Sequence, residues 1–278
     1  MPLKYFNCVD NITRPISECL EKCPRPEGRC LALSHLTFIA ESGREWQGQS
    51  SVTQLIKPTR LAFLEITKDY AVNPDDMAFM MYGTLHHRRL EVINKKLGGL
   101  SEQKLNGSIK GTLDRLEPDE LQEGYYKLID YKLVGAYSIA KALGIQNGKA
   151  VDPDMLEWEL QANKYELLLE DDPGLSPLFP ISRLLIQATV RDSGLKQIKS
   201  LGLPCRMPLI PVRKLSADFV NEYFLTKDYA LHKALETGEM PEMCDYNSRW
   251  CGRRCKSFCA VFNFCPEGAK VNRVNLEV

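Results

Sequence analysis

Ten cysteines fall in a pattern that few folds accommodate. Four stand near the start, at Cys8, Cys19, Cys23 and Cys30, and five near the end, at Cys244, Cys251, Cys255, Cys259 and Cys265. Residues 31–204 hold none, and Cys205, beside an apolar run, reads as a core residue. A disulfide-stapled domain is small and spreads its cysteines through the fold. This chain has 278 residues and 44% hydrophobic content, enough for a large core without staples. Two terminal groups of thiols therefore read as metal sites. The first quartet has gaps of ten, three and six residues around Pro24, Pro26 and Gly28. It suggests a loop-built zinc knuckle, with buried free cysteines as the alternative. The five C-terminal cysteines read as a second thiolate metal site.

The chain carries 36 basic and 36 acidic residues. A net charge of zero gives no global attraction for nucleic acid, so any basic binding surface is local. Two such stretches exist. SRWCGRRCK (248–256) puts four basic residues around the C-terminal cysteines, with Trp250 available for stacking, and HHRRLEVINKK spans 86–96. Either is equally a solvated charged face. No apolar run approaches the ~20 residues of a membrane span, and the first residues lack a secretory core. A cytoplasmic protein without membrane contact is expected.

Residues 1–50 read as irregular. From Ser51 helical periodicity begins, breaks near Pro58 and resumes with Leu61, Leu64 and Ile66 on one face. The next helix, carrying His86 and His87, runs to a stop at Gly98-Gly99. GSIKGTLDRL (107–116) and EGYYKLIDYKL (123–133) read as strands joined by a turn. VGAYSIAKALG suggests a short helix. DPDMLEWELQANKYELLLEDD predicts a long amphipathic helix with an aspartate cap and a first-turn proline. SRLLIQATVRD and CRMPLIPV are strand candidates, and a last long helix ends at Gly238. The order suggests mixed α/β: a mixed sheet flanked by helices. Three segments are expected: 1–50, a core over 51–240, and a cysteine-rich tail over 241–278.

Asp114 and Asp130 lie near the ends of the two adjacent strands, and Lys132 shares the side-chain parity of Asp130. Two carboxylates and an ammonium at one sheet edge suit phosphodiester hydrolysis through a hard cation. Spacing alone favours a surface salt bridge, since such pairs are common. The same carboxylate-x-lysine pattern recurs at Glu102-Gln103-Lys104, at the frequency expected by chance.

Four motifs in order narrow the choice. Gly83-Thr84-Leu85-His86-His87, with Glu91 one turn on, lies on a helix. Gly111-Thr112-Leu113-Asp114 ends a strand. Ile129-Asp130-Tyr131-Lys132 follows, then Gln161-Ala162-Asn163-Lys164-Tyr165 on the next helix. Over about residues 51–265 the chain resembles the RecB-like branch of the PD-(D/E)XK nucleases. More narrowly, it resembles the iron–sulfur exonucleases related to the CRISPR-associated and AddB-type enzymes. The resemblance implies an αβββαβ restriction-endonuclease core with a helical N-terminal part, to which the two cysteine groups add knuckles at both ends. It implies Mg²⁺ or Mn²⁺ held by His87, Asp114, Asp130 and the carbonyl of Tyr131. Lys132 would be the catalytic lysine, and Gln161 and Tyr165 would contact DNA and steady the site.

The resemblance also implies a 4Fe–4S cluster, with zinc as the alternative. Cys259-x₅-Cys265 fits the usual last interval, while Cys255-x₃-Cys259 is one residue longer than usual. The expected early cysteine is missing and Lys57-Pro58 occupies its place, so either an upstream cysteine such as Cys30 fills the role or all four ligands come from the C-terminal five. The implied function is a DNA exonuclease acting on single strands or ends, in repair, recombination or CRISPR spacer acquisition. A helicase or CRISPR integration proteins would be partners. A non-catalytic DNA-binding scaffold of the same fold and an RNA-directed nuclease are the alternatives.

Overall fold

The structure, a computed structural model, describes residues 3–192, 194, 196–274 and 276–277. The chain begins with β1 (Leu3–Asn7), β2 (Thr13–Pro15), α1 (Ile16–Glu21) and α2 (Leu33–Glu41). Next come α3 (Val52–Ile56), α4 (Thr59–Thr67), β3 (Tyr70–Val72) and α5 (Ala78–Leu97). The middle holds β4 (Leu100–Leu105), β5 (Gly111–Pro118), β6 (Tyr126–Val134), α6 (Ala136–Ala142) and a small hairpin of β7 (Ile145–Gln146) and β8 (Lys149–Ala150). It continues with α7 (Leu156–Glu170), β9 (Ile181–Val190), α8 (Lys196–Leu201) and β10 (Leu209–Val212). Then follow α9 (Ala217–Thr237), α10 (Arg253–Ser257) and α11 (Pro266–Asn272). The fold class is mixed α/β. Among the described residues no helix is long and apolar enough to cross a membrane.

Two compact units emerge, and they do not follow the linear three-part division. One gathers Met1–Gln49, Lys57–Met81 and Leu225–Val278; the other gathers Ser50–Ile56 and Tyr82–Phe224. Both cysteine groups therefore lie in the first unit and all four motifs' functional side chains in the second.

The first unit contains a three-stranded sheet in the order β2-β1-β3, with β1 antiparallel to β2 and parallel to β3. Phe6, Leu36, Ile39 and Val72 form its core with Leu3 and Cys19. This corrects the irregular reading of residues 1–50. LKYFN is too short to announce itself, and one of its partners, Tyr70–Val72, is supplied by a distant part of the chain.

The second unit is built on a five-stranded sheet in the order β10-β9-β6-β5-β4. β6 and β9 are parallel; the other pairs are antiparallel. Parallel neighbours need a long crossover, and α6, the hairpin and α7 supply it. Strand β6 lies at the centre, which explains the nearly unbroken apolar run around Asp130. β4 is a strand the sequence did not announce. LSEQKL lacks apolar alternation, and its pairing with β5 carries it instead.

Three further expectations are corrected. Helix α7 starts at Leu156, without a side-chain cap and after Pro153 rather than around it. The preceding residues fold back on α6 instead. Val151 N–H donates to Gly144 O at 2.8 Å, Asp154 N–H donates to Lys141 O at 3.0 Å, and the Asp154 carboxylate pairs with Lys141 at 2.7 Å. Nor is α7 amphipathic, because it buries polar residues too. Asn163 donates to Glu159 O and Arg213 O and accepts from Leu215 N–H. Lys164, its pKa lowered by burial, donates to Asn221 Oδ1 at 2.9 Å. Buried polar groups persist where every hydrogen bond is answered. Finally, Cys205 is exposed rather than in the core. It precedes β10, which begins only at Leu209, so no strand carries it inward.

Candidate active site and thiol centres

Helix α5 brings His87 to the sheet because buried polar contacts fix its second half. Asn94 donates to Tyr131 Oη at 3.2 Å and to Ser101 Oγ at 3.3 Å. Leu90 packs against Ile129, Tyr131 and Leu185. The buried Arg115 guanidinium donates to Gly98 O and Asn94 O, satisfying carbonyls at the end of the helix. Gly98 and Gly99, at φ of 74° and 77°, then turn the chain into β4.

His87 Nδ1 lies 3.5 Å from Asp114 Oδ1 and 3.9 Å from Glu102 Oε1. These three side chains offer ligand atoms within 4.8 Å of one another. The Asp114 carboxylate raises the His87 pKa by hydrogen bonding, against the opposing effect of burial. Asp114 Oδ2 accepts the Tyr131 N–H at 2.7 Å, which leaves Oδ1 toward the histidine.

Glu102 is the residue that sequence reasoning passed over as a chance pattern. It falls between the paired residues Ser101↔Arg115 and Gln103↔Leu113, hence opposite Asp114. Its φ of 49° is left-handed inside a strand. Such backbone costs about 1–3 kcal/mol and collects at functional sites. Burial, then the Asp114 charge, pushes its carboxyl up to about 7.

Asp130 lies beyond that trio and is 2% exposed. Burial raises its pKa, the Lys132 charge opposing it and the Asp114 charge adding to it. Lys132 Nζ lies 2.7 Å from Asp130 Oδ2 and donates to Gln161 Oε1 at 2.8 Å. Gln161 Nε2 donates to Asp130 Oδ1 and to Tyr165 Oη, both at 3.0 Å. One amide thus orients the carboxylate, the lysine and the phenol. The ammonium ion-pairs with Asp130 Oδ2 while Gln161 donates to Oδ1, so both carboxylate oxygens are engaged. The imidazole and two carboxylates of His87, Glu102 and Asp114 suit a divalent cation of the Mg²⁺ or Mn²⁺ kind. Glu91 instead pairs with Lys95 at 2.6 Å along α5.

The glycine of the second motif has a packing reason. A Cβ on Gly111 would meet Tyr165 Cε1 at 2.8 Å and Cδ1 at 3.0 Å. The β5 backbone and the α7 tyrosine approach so closely that only glycine fits. Gly111→Ala should therefore destabilise the chain by about 1–3 kcal/mol, the usual cost of overpacking. A lowered thermal midpoint checks this, with Gly124→Ala unsuitable as a control because its φ is 80°.

All ten cysteines are free thiols. Cys244, Cys255, Cys259 and Cys265 line one cavity, with Pro58, Arg60 and Leu61 in its wall. Cys251 is exposed and not part of it. Pro58 stands where the resemblance expects a cysteine, and Cys244 completes the four. Arg60 donates to Cys265 Sγ at 3.6 Å and to Pro241 O at 2.7 Å. Burial pushes the Cys259 thiol up to about 12 and also raises Cys244 and Cys255. Such thiols ionise only when a cation compensates them. Four sulfur donors fit an iron–sulfur cluster or zinc. Nearby, Trp250 is taken up by the Arg254 guanidinium, 4.0 Å from its ring centre, and by Phe258 at 5.6 Å.

No protein family and no curated protein matches the chain by sequence. Five solved chains match by structure. One is described as "Crystal structure of SSO0001", with a TM-score of 0.45 and 14% identity over 90% of this chain and 93% of that one.

Proposed function

We propose that this chain is a metal-dependent DNA nuclease of the RecB-like PD-(D/E)XK kind, acting on single strands or DNA ends. The observation that carries the reading is the convergence of His87, Glu102 and Asp114 beside an Asp130–Lys132–Gln161–Tyr165 network. The order α5-β4-β5-β6-α7-β9, with its antiparallel trio and one parallel addition, supports it.

Mg²⁺ or Mn²⁺ in such a site polarises a phosphate and lowers the pKa of a bound water. His87, Glu102 and Asp114 would hold the ion, with the Asp130 carboxylate near enough to Asp114 and His87 to feel their charge. Lys132 keeps its ammonium in place because Asp130 and Gln161 fix it from two sides. From there it orients a water or stabilises charge on the leaving oxygen. Cys244, Cys255, Cys259 and Cys265 would hold a structural 4Fe–4S cluster tying α11 and the preceding loop to α4.

Cleavage of end-labelled single-stranded DNA by anaerobically purified protein tests the reading. Mn²⁺ or Mg²⁺ should support cleavage, EDTA should stop it, and Lys132→Ala should remove it while the cluster remains. Equal products from both proteins would trace the activity to a contaminant. Retained DNA affinity without any cleavage would favour a binding scaffold, and faster loss of a matched RNA strand would redirect the substrate to RNA.

A further inference from the structure

We propose that Cys8, Cys19, Cys23 and Cys30 form a second metal centre, separate from the C-terminal one and held by four thiolates. The four cysteines come from different local structures: Cys8 just after β1, Cys19 on α1, Cys23 just past α1, and Cys30 at the end of a loop. All four nevertheless line one cavity, together with Arg14 and Arg29. The shared cavity is wider than a closed tetrahedral site, since among the described residues no three cysteine sulfurs lie within 4.8 Å of one another. Cys19 belongs to the apolar core and Cys30 packs against it, whereas Cys8 and Cys23 are half-buried outside that cluster, so core packing alone does not bring all four to one cavity.

The backbone around the four is clamped. Cys8 N–H donates to Ile12 O at 3.0 Å and Asn11 N–H donates to Cys8 O at 2.9 Å, with Asn11 at a φ of 62°. Asp10 Oδ1 accepts from Ile12 N–H at 3.1 Å and from Arg14 at 2.7 Å, closing the turn. On the other side, Arg29 donates to Cys19 O, Leu20 O and Glu21 O at 3.2, 3.0 and 3.1 Å. That fork caps the short helix and sets the adjacent Cys30 beside it. Both guanidiniums are already engaged, Arg14 with Asp10 and Arg29 with the three carbonyls, so their part is to hold the backbone that carries the thiols. Residues 22–32 contain no helix or strand, and a metal centre would order such a loop against β1 and α1.

Zinc and an iron–sulfur cluster share this donor chemistry, and metal analysis separates them. Metal and acid-labile sulfide would be measured on the anaerobically purified full chain, on Cys8→Ser/Cys23→Ser and on Cys255→Ser/Cys265→Ser. The N-terminal double variant should lose one centre and keep the other, and the C-terminal one should do the reverse. Zinc lost without sulfide identifies a single ion; iron lost with sulfide identifies a cluster. Peptide-mapped alkylation of the folded wild-type chain decides the matter even if a variant does not fold. Cys8, Cys23 and Cys30 should react far more slowly than the exposed Cys205, and chelation should release them. Unchanged metal in the N-terminal variant would overturn the proposal. So would alkylation of those three at the rate of Cys205, or protection that chelation does not relieve. None of these readouts depends on nuclease activity.

Discussion

Asp114→Asn should fold like the wild type and lose metal-dependent cleavage by ~10³-fold, the scale on which one preorganised charge-stabilising group acts. Asp114 contacts two components of the site. Oδ1 faces His87 at 3.5 Å, and Oδ2 accepts the buried Tyr131 N–H at 2.7 Å. Asparagine keeps an oxygen for that N–H and removes only the charge. Alanine would also orphan the amide, at about 1–3 kcal/mol, and so confound activity with stability. The variant should further lower the His87 pKa toward its ordinary value, since the Asp114 hydrogen bond is the largest cause of its rise. Imidazole titration followed by NMR reads this independently of any DNA. Cleavage within a few-fold of wild type would remove Asp114 from the site and with it the nuclease reading.

The largest stability loss should come from Leu128→Ala. Leu128 lies on the central strand β6, paired with Leu116 on β5 and Leu184 on β9. The three are 0%, 0% and 1% exposed, one continuous row across the sheet. Deleting a buried leucine costs about 2–5 kcal/mol, with the higher values where the surroundings cannot collapse. Both neighbours of Leu128 are fixed by strand pairing, so the upper half of that range is expected. The thermal midpoint should fall by roughly 2–4 °C per kcal/mol. Leu121→Ala, at a residue 75% exposed, should stay within about 0.5 kcal/mol of wild type. Similar midpoints for the two variants would mean that β6 is not the centre of the core.

The parts of this molecule that were legible in its sequence are those whose chemistry is local. Helix α5 and its glycine stop, the strands around Asp114 and Asp130, and the Gln161/Tyr165 pair each rest on periodicity or turn residues within one segment. The convergence of thiols at each end was also readable as two groups, because cysteines so placed have few other uses.

What only the tertiary structure decided involves partners far apart in the chain. Glu102-Gln103-Lys104 is indistinguishable in sequence from a chance repeat. Its glutamate acquires a role only because strand register sets it opposite Asp114 and left-handed backbone accompanies it there. Five C-terminal cysteines look alike until the fold leaves Cys251 outside and gathers the other four. Helix α7 read as amphipathic because its polar residues suggested solvent, yet Asn163 and Lys164 are answered by Arg213, Leu215 and Asn221. Sequence pattern reports what a residue prefers next to its neighbours along the chain. Register, burial and hydrogen-bond partners depend on residues many positions away, and those contacts select which preferences are realised.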